Sequence, residues 1–213
     1  MPIKRKDFEK LFADFRNDQI ATLSRHQEML SAFYAESDWA FLIKSHALIE
    51  AVVTESLVKA LGESRIHRVV SRMPLGGEMG KMKMAKEIGI LSERQEKFVA
   101  CLSSIRNKLV HKVENLDFDF KAYVVSLSKA DQKKLFQGLV WQDVDAALSV
   151  KWREHFDNCP RFVVLVFLLP LLSIVALHAA HRDGEREIAR LANATADEIF
   201  DSLMRSARMS GPV

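Results

Sequence analysis

Apolar residues recur at helical spacing along most of this chain. Phe8, Leu11, Phe12 and Phe15, then Ile20, Leu23, Met29, Leu30 and Phe33, predict a helix over 3–34. Asp38 reads as the next N-cap, and W-A-F-L-I-K-S-H-A-L-I-E-A-V-V-T-E-S-L-V-K-A-L runs behind it to Gly62, a C-terminal stop. Trp39, Leu42, Ala47, Ile49, Val53 and Leu57 give that helix an apolar side wide enough to lie between neighbours. A connector over 63–80 contains P-L-G-G, and a short helix, M-G-K-M-K-M-A-K-E-I, ends at Gly89. Ser92 with Gln95 three positions later is a capping-box signature, opening a helix over 92–113. Its Phe98, Leu102, Ile105 and Leu109 keep the 4-3-4 spacing of a core-facing stripe. Residues 114–127 alternate weakly and read as loop or short strand. A small helix is predicted over 128–138, and 139–160 read as irregular with a helical turn near Val144–Leu148. An apolar helix follows, broken at Asp183-Gly184, and an amphipathic helix runs from Glu185 to about Met209. The pattern predicts an all-α chain.

Composition agrees with helices: Gly and Pro are scarce among 213 residues, and 48% are apolar, enough for a sizeable core. The net charge of +3 is too small to announce a nucleic-acid partner. Its distribution says more, because Arg65–Lys86 holds six Lys or Arg and one acid, Glu78. That run fits a solvated surface or a phosphate-tracking patch equally well. Cys101 and Cys159 stand far apart without a paired spacing, which argues against a zinc site or a disulfide framework. The basic start M-P-I-K-R-K-D-F has no apolar run behind it, so no signal peptide is expected and a reducing cytoplasm is the default. Phe162–Ala180 is uncharged and long enough to cross a bilayer, with Pro170 in its middle to kink it. A buried central helix has the same composition. The central helix is the first reading and a membrane anchor the second.

The chemistry collects on the 92–113 helix, in S-S-I-R-N-K-L-V-H. At about 100° per residue, Asn107 and His111 each sit about 200° past a stripe position and stack as an i, i+4 pair away from the core. Arg106 lies beside the stripe, and Ser103, Ser104 and Lys108 share the polar surface. Packing does not require these residues. A neutral imidazole can take a 2′-hydroxyl proton near pH 7. A guanidinium can hold developing charge on phosphoryl oxygens. The set suits phosphodiester cleavage without a metal or other cofactor.

R-N-K-L-V-H resembles the Arg-Asn-x-x-x-His pattern of the HEPN superfamily of helical bundles, and the 38–61 helix looks like that superfamily's long first core helix. P-L-G-G-E-M-G-K-M-K-M-A-K-E-I-G-I-L-S is similar to the connector of its mannitol-repressor-like branch. The resemblance implies a HEPN-like up-down bundle with its core at 38–113. An N-terminal helix over 1–37, a variable insert over 114–160 and completing helices over 161–213 would surround it. It implies a homodimeric, metal-independent endoribonuclease, a toxin or antiphage effector, with a neutralising protein as a further partner. Arg106 and His111 would then be the catalytic pair and Asn107 a supporting group. Lys108, Lys112, Arg72, Lys81 and Lys83 would guide an RNA backbone. The repressor-like connector implies the alternative, a non-catalytic interaction or regulatory module.

Other polar positions read more plainly. His46 and Glu50, an i, i+4 pair without a third ligand, read as a hydrogen-bonded pair or ordinary helix surface, with Glu50 a faint candidate to face the site. His178 and His181 are expected to bond last-turn carbonyls. Cys101 reads as packed, and Met79, Met82 and Met84 as adaptable filling. There is no P-loop, dinucleotide fingerprint or supported Ser-His-Asp arrangement.

Overall fold

The computed structural model describes residues 5–62, 64–111 and 116–209, which are all-α with no strand. The helices are α1 (Arg5–Tyr34), α2 (Asp38–Leu61), α3 (His67–Arg72), α4 (Lys81–Glu87), α5 (Glu93–Val110), α6 (Phe120–Ser126), α7 (Lys129–Leu139), α8 (Ala146–Asn158) and α9 (Pro160–Met209). The hub is α2, packed against α9, α5, α1, α3 and α4. It is buried almost all round because its apolar residues cover more than one side: Phe41, Leu42, Ile49, Val53 and Leu57 are core. Gly62 ends it at φ 72, its N–H reaching the carbonyls of Val58 and Lys59.

The start of α2 departs from the expectation. Ser37, not Asp38, is the N-cap, its hydroxyl accepting from the Ala40 N–H at 3.2 Å. The Asp38 carboxylate is engaged elsewhere, receiving Arg161 Nη1 at 2.9 Å and the Phe120 N–H at 2.8 Å. On α5 the expectation holds. Ser92 and Gln95 form the capping box, and Phe98, Leu102, Ile105 and Leu109 are all buried.

Three segments form helices that the pattern hides. The weak alternation of 114–127 comes from Phe118 and Phe120 flanking the Asp119 cap of α6, whose buried pair is Phe120 and Val124, spaced i, i+4. The stretch read as irregular contains α8, capped by Asp145 and burying only Phe156 along its length, so it carries little periodicity. No break occurs at Asp183-Gly184, and Pro170 lies within the same continuous α9. Exposed pairs span the expected break, His181–Glu185 at 3.3 Å and Arg186–Asp183 at 3.6 Å, and Arg190–Glu187 at 2.7 Å follows it. Arg186 also donates to the Lys59 carbonyl at the end of α2. With the helix continuing, His181 meets Glu185 instead of last-turn carbonyls.

Pro160–Arg190 is long and apolar enough to cross a membrane by length and composition. Val163, Val164, Phe167, Leu168, Leu171, Leu172 and Val175 on it are buried in the bundle, while Leu165, Val166 and Leu169 are half-buried. The helix packs on α2, α1 and α8.

Candidate functional site

The capping box sets where α5 begins, and the buried stripe sets its rotation; together they turn the motif outward. Arg106 is half-buried and donates from Nη1 to Asn107 Oδ1 at 3.1 Å. Asn107 is exposed, and His111 is the exposed C-cap residue at φ −93, ψ −3. Five residues of helix place Arg106 and His111 about 140° apart around the axis and about 7.5 Å apart along it. No hydrogen bond joins the two among the described residues.

The basic candidates divide. Lys108 stands on the motif helix, its Nζ donating to Tyr123 Oη at 3.0 Å and lying 5.3 Å from that ring's centroid. Lys112 lies outside the described residues. Arg72 is exposed at the end of α3, and Lys83 pairs with Glu87 at 3.4 Å. Lys86, beside them on α4, bonds Glu96 at 2.8 Å, and Glu96 lies four turns of α5, about 22 Å, before His111. Lys86 and the motif therefore sit towards opposite ends of α5.

Lys81 is turned into the fold instead of lying open to a phosphate backbone. Its side chain is 2% exposed, and its ammonium donates to Glu50 Oε1 at 2.7 Å and to the Ser71 carbonyl at 3.5 Å. This pins the connector to α2, a task a buried charge performs only with a partner. Glu50 → Ala would strip that partner and cost about 2 kcal/mol, below the cost for a fully buried pair because the Glu50 side chain is 41% exposed. Lys81→Met, which removes the charge and keeps the stem, should change stability by less than about 1 kcal/mol. Urea midpoints of the two variants test this asymmetry; equal losses would count against it.

The partners of His46 and Glu50 also lie across helices and not within the i, i+4 pair. His46 is buried, and its Nε2 lies 3.0 Å from Ser103 Oγ on α5, one turn before Arg106. Burial, and then the Arg106 guanidinium, push the His46 imidazole below its usual range, with Glu50 opposing. The motif's cation thus faces a neutral imidazole on α2. Sequence reading missed this meeting, whose one signal is that Ser103 and Arg106 share a face three residues apart. His26 on α1 is also buried and pushed down, with Glu55 opposing and Arg25 adding to the effect.

The pH consequence has a definite sign. The unfolded chain takes up protons at its histidines near pH 6.5, while native His46 and His26 resist them. Stability should therefore fall as pH drops below about 6.5 and continue falling towards the native values. Melting temperatures at pH 7, 6 and 5 should decline, and His46→Gln should decline less steeply. Parallel slopes would show that His46 does not carry the effect.

Of the remaining candidates, Cys101 is half-buried and its thiol is pushed up by burial, Met82 is buried, Met84 is half-buried and Met79 is exposed. Among the described residues no group of three His, Cys, Asp or Glu is placed to hold a metal ion. No family model, curated protein or solved structure matches the chain.

Proposed function

We propose that this chain is an endoribonuclease of the HEPN kind, cleaving RNA as a homodimer by imidazole and guanidinium chemistry, in the role of a toxin or antiphage effector. The observation that carries the reading is the exposed Asn107 and His111 of α5 with the half-buried Arg106 beside them, a set outside the helix's buried stripe. His111 would take the 2′-hydroxyl proton, the 2′-oxygen would attack phosphorus, and the 5′-oxygen would leave taking a proton from water, giving a 2′,3′-cyclic phosphate and a 5′-hydroxyl. Arg106 would hold the developing charge on the non-bridging oxygens, and Asn107 would orient the Arg106 guanidinium it already bonds. The 140° between Arg106 and His111 in one copy favours a site completed by the motif of a second copy. Lys108 would be the nearest backbone guide.

A regulatory or interaction module is the second reading. Val110, 38% exposed beside His111, favours a surface that another protein covers. Two free cysteines suit a reducing cytoplasm. The buried row of α9 favours a core helix over a membrane anchor. The test is incubation with labelled single-stranded RNA in EDTA, read on a denaturing gel. Fragments ending in cyclic phosphate support the nuclease. Intact RNA, with the chain nonetheless dimeric, supports the module.

A further inference from the structure

The 116–160 segment folds α7 against α5, on the side that carries Cys101 and Ser104. The approach is close because position 138 is glycine: a Cβ there would collide with the Cys101 sulfur. Beside this contact the two helices and the chain after them leave a trough of about 860 Å³. Arg94, Lys97 and Ser104 line it from α5, and Lys134, Phe136 and Gln137 from α7. Lys97, Ser104, Lys108 and His111 stand at spacings of seven, four and three, a single line along the helix. Ser104, the last α5 residue lining the trough, is about 10 Å from His111 along the axis.

Its charge is adaptable. Lys97 pairs with Glu93 at 2.7 Å, and Arg94 pairs with Asp143, both on the surface. Exposed pairs of this kind contribute little and exchange partners readily. Lys134 is exposed on the opposite wall. Phe136 is half-buried and lines the trough, its ring also meeting that of Phe156 edge-on and lying 5.5 Å from the Arg153 guanidinium. Cations on both walls with an aromatic side chain on one of them are what an unpaired nucleic-acid strand requires: phosphates on the lysines and a base on the ring. A trough between two helices admits one strand and not the wide, shallow face of an RNA duplex.

We propose that the α5–α7 trough is the track along which single-stranded RNA reaches His111, with Lys97 and Lys134 holding its phosphates and Phe136 taking a base. This rests on the endoribonuclease reading. It moves the backbone contacts from the connector to α5 and the 116–160 segment.

The probe is a fluorescein-labelled 12-nucleotide 2′-O-methyl RNA, which binds but lacks the attacking hydroxyl, followed by anisotropy across a salt series. Lys97→Gln/Lys134→Gln should weaken binding about tenfold and flatten the salt slope by about 1.4, for two lost phosphate contacts. Arg25→Gln/Arg182→Gln removes the same charge from α1 and α9 and should change affinity less than twofold. Phe136→Leu should weaken binding without changing the salt slope. Equal effects of the two double variants would overturn the track. If the wild type cleaves RNA in the gel assay while the trough variant binds normally, the track fails and the nuclease reading stands. Absence of both cleavage and binding would remove both. Competition by oligoglutamate as strong as by RNA would overturn the assignment to RNA and point to an acidic peptide.

Discussion

His111→Ala should lower the rate of RNA cleavage by about 10²- to 10⁴-fold, the usual worth of a positioned acid or base. Arg106→Ala should lower it by about 10²- to 10³-fold, as for removal of one charge-stabilising donor group. Arg106→Lys should restore little, because an ammonium lacks the planar fork that meets two oxygens at once. The His111 loss should not come from unfolding. His111 is exposed at the end of α5, and substitutions at such positions change stability by about 0.5 kcal/mol or less. Circular dichroism and melting curves on the same preparations make that separation. Arg106→Ala has a second consequence: removing the cation that helps depress His46 should bring that imidazole closer to its usual range. The fall in melting temperature between pH 7 and pH 5 should then be shallower than in wild type. Undiminished cleavage by His111→Ala would end the assignment of that residue, whatever Arg106→Ala does.

The motif surface was legible because one helix defines it. Once Phe98, Leu102, Ile105 and Leu109 set the core side of α5, the outward position of Asn107 and His111 follows from helical geometry alone. The caps at Ser92 and Gly62 were legible for the same reason, being local exchanges of hydrogen bonds. What escaped the pattern depends on distant partners. Asp38 reads as a cap until Arg161 and the Phe120 N–H compete for its oxygens. Lys81 reads as one more surface lysine until Glu50 meets it from α2. Helix α8 buries one residue, Phe156, and so gives no periodic signal, and Asp183-Gly184 reads as a stop until the ion pairs around it are seen. The His46–Ser103 meeting and the α5–α7 trough are of this kind too, because each needs the packing of two helices to exist.

Asp38→Ala should be the most destabilising polar substitution discussed, at about 3 kcal/mol, the lower end of the range for breaking a buried ion pair. For a domain of this size that is a fall of roughly 10 °C in melting temperature. The carboxylate ties together three segments. Oδ2 accepts the first N–H of α6, and Oδ1 accepts from Arg161 at the start of α9. Arg161 in turn donates to the carbonyls of Phe33, Tyr34 and Glu36 in the α1–α2 turn, and lies 4.6 Å from the Tyr34 ring centroid and 5.0 Å from that of Phe41. With its side chain 16% exposed, the guanidinium cannot turn to water when Asp38 is lost. Asp38→Asn, which keeps one acceptor and the shape, should cost about half as much. Arg161→Met combined with Asp38→Ala should cost less than the sum of the two single changes, because the second substitution removes the stranded charge. A loss below about 1 kcal/mol for Asp38→Ala would mean that the pair behaves as an ordinary surface contact. The effect should also reach the motif. The same oxygen that caps Phe120 orders α6, and Tyr123 of α6 holds Lys108 beside the Arg106–Asn107–His111 motif. At temperatures where the variant remains folded, it should bind the 2′-O-methyl RNA more weakly while retaining Arg106 and His111, a defect of affinity and not of chemistry.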